Sequence, residues 1–291
     1  KLIESKSNNP EIGKLTEIDA YGAGQSATIS VVKGSSEDKL VQKAIDLLGG
    51  MSKFVKRGDI VAIKPNIGWD RTYQQAATTN PFVIKKLIKL CYNAGAKKVR
   101  IMDNTCHSAS MTFVRSGIQR VCKEVGADLI YPKENRFKNM NMGGIAIKQW
   151  PVFVDVIEAD KLINVPVAKV HALSILTLGM KNFYGAVGGN RGRLHQEIHQ
   201  GIVDMARFFK PNLTVIDAVR IMIRNGTTGG SPRDVKKIDT LIAGTDYVAC
   251  DAYAATLFGM KPDQVGHINL AGKYGLGVKE LSKINKLTAN V

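Results

Sequence analysis

The sequence predicts an α/β fold, a mostly parallel, helix-covered sheet with the three layers of a Rossmann-like domain. Three observations lead there. Short apolar runs of strand length alternate with longer amphipathic stretches of helical period. The clearest strands, Asp59–Ile63 and Leu162–Val165, are apolar on both faces, as strands covered on both sides must be. Several strands also end in polar residues, the edge at which open parallel sheets hold their ligands.

Taken in order, residues 28–33 (TISVVK) read as a first strand, and Glu37 to Leu48 as a helix closed by Gly49-Gly50. The strand at 59–63 ends at Lys64-Pro65-Asn66. Asn80 caps a helix with Pro81 at its first position, running to about Asn93. Lys98–Met102 is the next strand, Ser110–Val125 one helix stopped by Gly126, and Leu129–Tyr131 a strand. The basic, turn-rich segment 132–150 predicts a strand at Ile145–Ile147 and marks a boundary at which two lobes could divide. A short helix over 152–159 precedes the strand at 161–165, where Pro166 should stop ladder pairing. Glu197–Phe209 reads as a helix, Leu213–Asp217 as a strand, 224–233 as a polar loop and Thr240–Gly244 as a strand. Asp246 then caps a helix to Phe258, and the tail turns at Gly275 and Gly277. The domain reading is an extension or linker over 1–27 and one α/β domain over 28–291.

Among 291 residues, 44% are hydrophobic and 23% charged, the balance of an ordinary globular chain. No run reaches the roughly 18 apolar residues of a membrane span. The formal charge of +16 favours anionic partners. Scattered basic residues and 7% aromatics argue against nucleic acid. Cys91, Cys106, Cys122 and Cys250 form no CxxC pair, so the chain carries no iron–sulfur cluster motif of its own. Cys106 stands apart by its neighbours Asp103, Asn104 and His107.

The stretch 160–200 concentrates the chemistry. Lys169 and His171 follow the central strand, Lys181-Asn182 follow a semi-polar run, and a glycine loop carries Arg191 and Arg193, whose guanidinium groups and backbone N–H groups suit an anion. His195 and His199, four apart in a helix-favouring stretch, would share one face and could hold a transition metal, with His107 as a third ligand. HQEIH is neither HExxH nor HxxEH, which removes the zinc-protease reading. Lys64, Asn66, Asp103, Asn104, Lys169, His171 and Asp217, at predicted strand ends, point to one shared crevice.

Taken together, IKPN at 63–66, TTNP at 78–81, the strand ending in Asp103, LINVP-x-x-K-x-H at 162–171, LGMKNFYG at 178–185, the strand ending Ile216-Asp217 and Gly-x-Asp at 244–246 resemble domain-of-unknown-function family 362. The resemblance implies an α/β fold, frequent association with iron–sulfur chemistry, and in many members a twin-arginine export signal. It also implies a distant similarity to nickel-pincer racemases. This chain departs from the family by lacking ferredoxin-type cysteines, so redox chemistry would call for a partner protein or a bound cofactor. The chain opens on Lys, not Met, and with the family's habit this leans the expected location toward export or the periplasm over the cytoplasm.

The expected function is an enzyme of unspecified reaction. It would act on an anionic small molecule, or through an anionic or metal cofactor, in a Lys/His/Asn-lined crevice. Lys64, Lys169 and Lys181 would neutralise the anion, and Asn66, Asn104 and Asn182 would orient it. His171 would serve as acid–base group because its reference pKa is near neutral, with Asp103 and Asp217 as supporting or basic carboxylates. The alternative is a non-catalytic binding or redox-accessory protein for an anionic ligand or a metal.

Overall fold

The computed structural model describes residues 26–291. The extension expected over 1–27 therefore lies, up to residue 25, outside the described residues. In chain order the strands and helices are β1 (Ala27–Lys33), α1 (Glu37–Leu47), β2 (Ile60–Pro65), α2 (Pro81–Asn93), β3 (Lys98–Met102), α3 (Ala109–Arg115), α4 (Ile118–Val125), β4 (Asp128–Ile130), β5 (Phe137–Asn141), β6 (Gln149–Phe153) and α5 (Val154–Ile157). They continue with β7 (Lys161–Val165), β8 (Val167–His171), β9 (Ile175–Thr177), α6 (Gly179–Asn182), α7 (Ile198–Phe209), β10 (Leu213–Met222), β11 (Val235–Gly244), α8 (Tyr247–Thr256), α9 (Gly266–Lys273) and β12 (Ile284–Asn290).

The main sheet runs β12-β1-β11-β10-β7-β2-β3-β4. From β10 to β4 every neighbour is parallel, whereas β11 is antiparallel to both β10 and β1. Strand alternation divides the core in two. Val61, Ile63, Val99, Ile101, Ile163 and Val215 face a cluster with α1, α2 and α4. Ala62, Met102, Leu162 and Ile216 face α7, α8 and α9. The result is the expected α/β three-layer fold, with a parallel half extended by an antiparallel one.

The local rules work where one residue dominates. Asn80 accepts from Phe82 N at 3.0 Å and Pro81 opens α2. Asp246 accepts from Ala249 N at 2.8 Å and opens α8. Four expectations are corrected. The single helix at 110–125 is two, broken at Gly117, whose φ of +79° lies in the left-handed region. The strand expected at 145–147 is instead the turn of the β5–β6 hairpin, held because Asp204 accepts from Ala146 N and Ile147 N. Pro166 redirects pairing and does not end it: β8 re-enters the sheet beside β10 and folds back on β9. The tail adds a seven-residue edge strand, β12, parallel to β1. From the segment 132–150 and its neighbour β6, Met142, Ile147 and Val152 pack in the same cluster as residues of α7 and α8.

From β2 the chain winds outward through β3 and β4, then returns to place β7 on the other side of β2. The carboxyl ends of β2 and β7 thus flank the point where strand order reverses, where open α/β sheets leave a crevice. Among the described residues, no helix is long and apolar enough to cross a membrane.

Candidate functional site

At the end of β2, Lys64 turns inward. Its ammonium donates to Asp103 Oδ1 at 2.6 Å, Pro65 O at 2.6 Å and Asn182 Oδ1 at 3.1 Å, and the residue is 0% exposed. Asp103 also accepts from Ile67 N. Burial pushes the Lys64 pKa down and the Asp103 pKa up, each opposed by the other's charge. Gly185 closes over this pair, because a Cβ there would fall 1.7 Å from Asp103 Oδ1. Lys64 is therefore committed to Asp103 and stands behind the crevice wall, not at its surface as the sequence suggested.

An amide chain leads outward from the pair. Asn182 Nδ2 donates to Asn164 Oδ1 at 2.8 Å and Lys64 O at 3.1 Å, while its Oδ1 also accepts from Asn66 Nδ2 at 3.2 Å. Asn66 Oδ1 in turn accepts from Lys169 Nζ at 2.9 Å, and Lys169 also donates to Ala77 O at 2.7 Å. The turn bearing Lys181 is held from beneath: Asp251 accepts from Gly179 N at 2.7 Å and Met180 N at 2.9 Å. Burial raises the Asp251 pKa to about 7, against the pull of those two N–H groups.

These supports frame a cleft of about 540 Å³ at the strand ends. Asn66, Asn104, Lys169, Lys181, Asn182 and Arg191 line it, joined by Asp103, Cys106 and His195. Lys169 is 1% and Lys181 5% exposed. Burial lowers both ammonium pKa values to about 7. Neither makes an ion pair with a carboxylate among the described residues, and Lys181 Nζ lies 3.7 Å over the Tyr184 ring. Arg191 is fixed by donating to Asn104 O and Thr105 O, both at 2.7 Å. Thr177 adds a buried hydroxyl with no hydrogen-bond partner among the described residues. Trp69, Thr177 and Tyr184 were not singled out in the sequence; only Tyr184, inside LGMKNFYG, had a signal there.

The remaining expected residues fall elsewhere. Asp217 lies under α2, accepting from Asn80 N at 2.7 Å and Val219 N at 3.1 Å, with its pKa raised by burial to about 6. It does not line the cleft. Arg193 is exposed and outside it. His171 sits behind His195, the rings stacked at 6.1 Å. Its Nδ1 accepts from Leu173 N and Ser174 N, which leaves the proton on Nε2. Burial, aided by Lys181, lowers its pKa to about 3, so it stays neutral at physiological pH and does not titrate as expected.

His195 and His199 do not share a helical face. His195 ends a tight turn, Arg191–His195, and α7 begins only at Ile198. His199 stacks instead on buried His267, with ring centroids 6.0 Å apart. His107 lies against Trp69 and accepts from Asp70 N. The three histidines thus form no common ligand set, and among the described residues no group of three or more His, Cys, Asp or Glu converges as a metal site. The side chains present do not fit a metal held in that way.

The family model for a domain of unknown function, DUF362, matches residues 61–256, from β2 to α8. The chain belongs to the DUF362 family. A relative, thylakoid-associated protein sll1697 of Synechocystis, is 25% identical over 240 residues, covering 80% of this chain and 73% of that protein. Among solved structures, the lactate racemase apoprotein from Thermoanaerobacterium thermosaccharolyticum superposes with a TM-score of 0.48 at 11% identity. The superposition covers 78% of this chain and 56% of the racemase, so the chain spans little more than half of that protein. The DUF362 match encloses every residue that lines the cleft.

Proposed function

We propose that the cleft is the active site of an enzyme that acts on a small anionic molecule. One observation carries this reading: two buried lysines, Lys169 and Lys181, face the same space and make no ion pair with a carboxylate among the described residues, while Lys64 beside them is paired with Asp103. Holding two such cations close together costs free energy, which an anion offsets by raising both pKa values. Lys169, Lys181 and Arg191 would neutralise the ligand's charge. Asn66 and Asn104, whose Nδ2 groups are held by Asn182 Oδ1 and Val187 O, would fix its orientation, and Asn182, its amide bonded within the protein at both ends, would hold Asn66 in place.

Two groups are the proton-transfer candidates of this reading. Lys181, with a pKa of about 7, can give or take a proton at neutral pH. His195 Nδ1 lies 3.3 Å from Gly192 O, to which only a protonated nitrogen can donate, so its lone pair is on Nε2. His171 keeps the ring of His195 in place.

The second reading, a binding protein for the same anion, gains from the neutral, doubly bonded His171. The two readings part on chemistry. Incubation with a panel of small carboxylates in deuterated water should put deuterium on the carbon next to the carboxylate if the site transfers protons, and none if it only binds. Binding itself is tested by calorimetry with the same panel. Lys181→Met should weaken the best carboxylate at least about tenfold, the loss of one charge-assisted contact. Unchanged affinity in a folded Lys181→Met variant would remove the site reading.

A further inference from the structure

Cys106 is the one exposed cysteine among four free thiols; Cys91, Cys122 and Cys250 are buried. It follows β3 on the loop that Arg191 clamps, and its own N–H donates to Gly68 O at 2.8 Å, which fixes the backbone. Its sulfur lies 3.9 Å from Arg191 Nη2 and lines the cleft alongside Lys169 and Lys181. A second feature points to a ligand here. Lys181, 5% exposed, turns its ammonium into the same space and, among the described residues, makes no hydrogen bond or ion pair beyond its contact with the face of Tyr184.

We propose that Cys106 is a nucleophile of the cleft, directed at small carboxylates that carry an electrophilic carbon. The inference rests on the anion reading above and adds a bond-forming group to it. The carboxylate would sit against Lys169 and Lys181 in the cleft that Cys106 also lines, its electrophilic carbon open to attack by Sγ. The thiolate attacks that carbon, a C–S bond forms as the bond to the leaving group breaks, and the leaving group departs with the electron pair. The thiol proton goes to solvent. The cleft thus selects by charge: a carboxylate repels an ordinary thiolate, but here it meets two lysines and an arginine first.

Iodoacetate and iodoacetamide test this, because they deliver nearly the same carbon with and without the charge. Rates are measured on the full chain at neutral pH, the modified residue is located by peptide mass mapping, and 2-mercaptoethanol serves as the reference thiol. The expected result is modification at Cys106, with the iodoacetate-to-iodoacetamide rate ratio about tenfold above that of the reference thiol. In Lys181→Gln the iodoacetate-to-iodoacetamide ratio should fall most of the way back to that of the reference thiol. A ratio at Cys106 equal to the reference would overturn the proposal. If carboxylate binding by calorimetry is intact in that case, the Cys106 assignment alone fails. If that binding is absent too, the anion reading falls with it.

Discussion

Lys64→Met should destabilise the protein by about 3–5 kcal/mol, the cost of leaving one partner of a buried ion pair uncompensated. Among the described residues, Asp103 would keep only the Ile67 N–H as a donor, in a space that Gly185 seals. Asn182 Oδ1 and Pro65 O would lose a donor as well. Removing both charges with Lys64→Met and Asp103→Leu should recover part of the loss, since a well-packed apolar pair can match a buried ionic one. Lys181→Met should behave differently: no protein acceptor loses a bond and a buried charge disappears, so its stability should stay within about 1 kcal/mol of the parent. Urea unfolding of the three variants separates a lysine that holds the fold from one that waits on a ligand. Equal stability of Lys64→Met and the parent would sink the structural role assigned to the Lys64–Asp103 pair.

The affinity of the cleft for a carboxylate should fall steeply above neutrality. The sign follows from the two lysines, each with a pKa lowered by burial to about 7 in the free protein. A bound anion raises these values. Below pH 7 both amines carry protons before binding, and affinity is flat. Above pH 7 each must take up a proton for the anion to bind, so affinity drops up to about tenfold per pH unit for each lysine. The two amines are close and titrate together, which gives a fall of between about tenfold and a hundredfold per unit until the raised values are reached. Calorimetry from pH 6 to 9 reads this slope, and in two buffers of different ionisation enthalpy it also reads the proton uptake. A flat profile across that range would show that neither amine changes charge on binding.

How much of this was legible beforehand depended on range. Residues whose effect is local announced themselves: Asn80-Pro81 opened α2 and Asp246 opened α8. The apolar run at 162–165 became the central β7, buried on both faces. The cluster of Lys169, Lys181 and three asparagines at one sheet edge was legible because parallel topology gathers strand ends. What the sequence hid was direction and phase. Lys64 and Asp103 both end strands, and only the adjacency of β2 and β3 turns them toward each other. His195 and His199 read as one helical face, but Tyr184 Oη donates to Leu194 O at 2.8 Å and Leu194 is buried, so packing holds the turn out of the helix. Edge strand β12 is mostly polar, and its partner β1 lies at the opposite end of the described chain, beyond any local pattern.

The most direct test of the central claim is to look for the anion. Crystals of the protein soaked in selenate at pH 6, with data collected at the selenium edge, would show where a dianion settles. The expected result is an anomalous peak inside the cleft within hydrogen-bond distance of Lys169 Nζ or Lys181 Nζ, lost in Lys181→Met. Peaks confined to the exposed lysines of the surface, with none in the cleft, would contradict it.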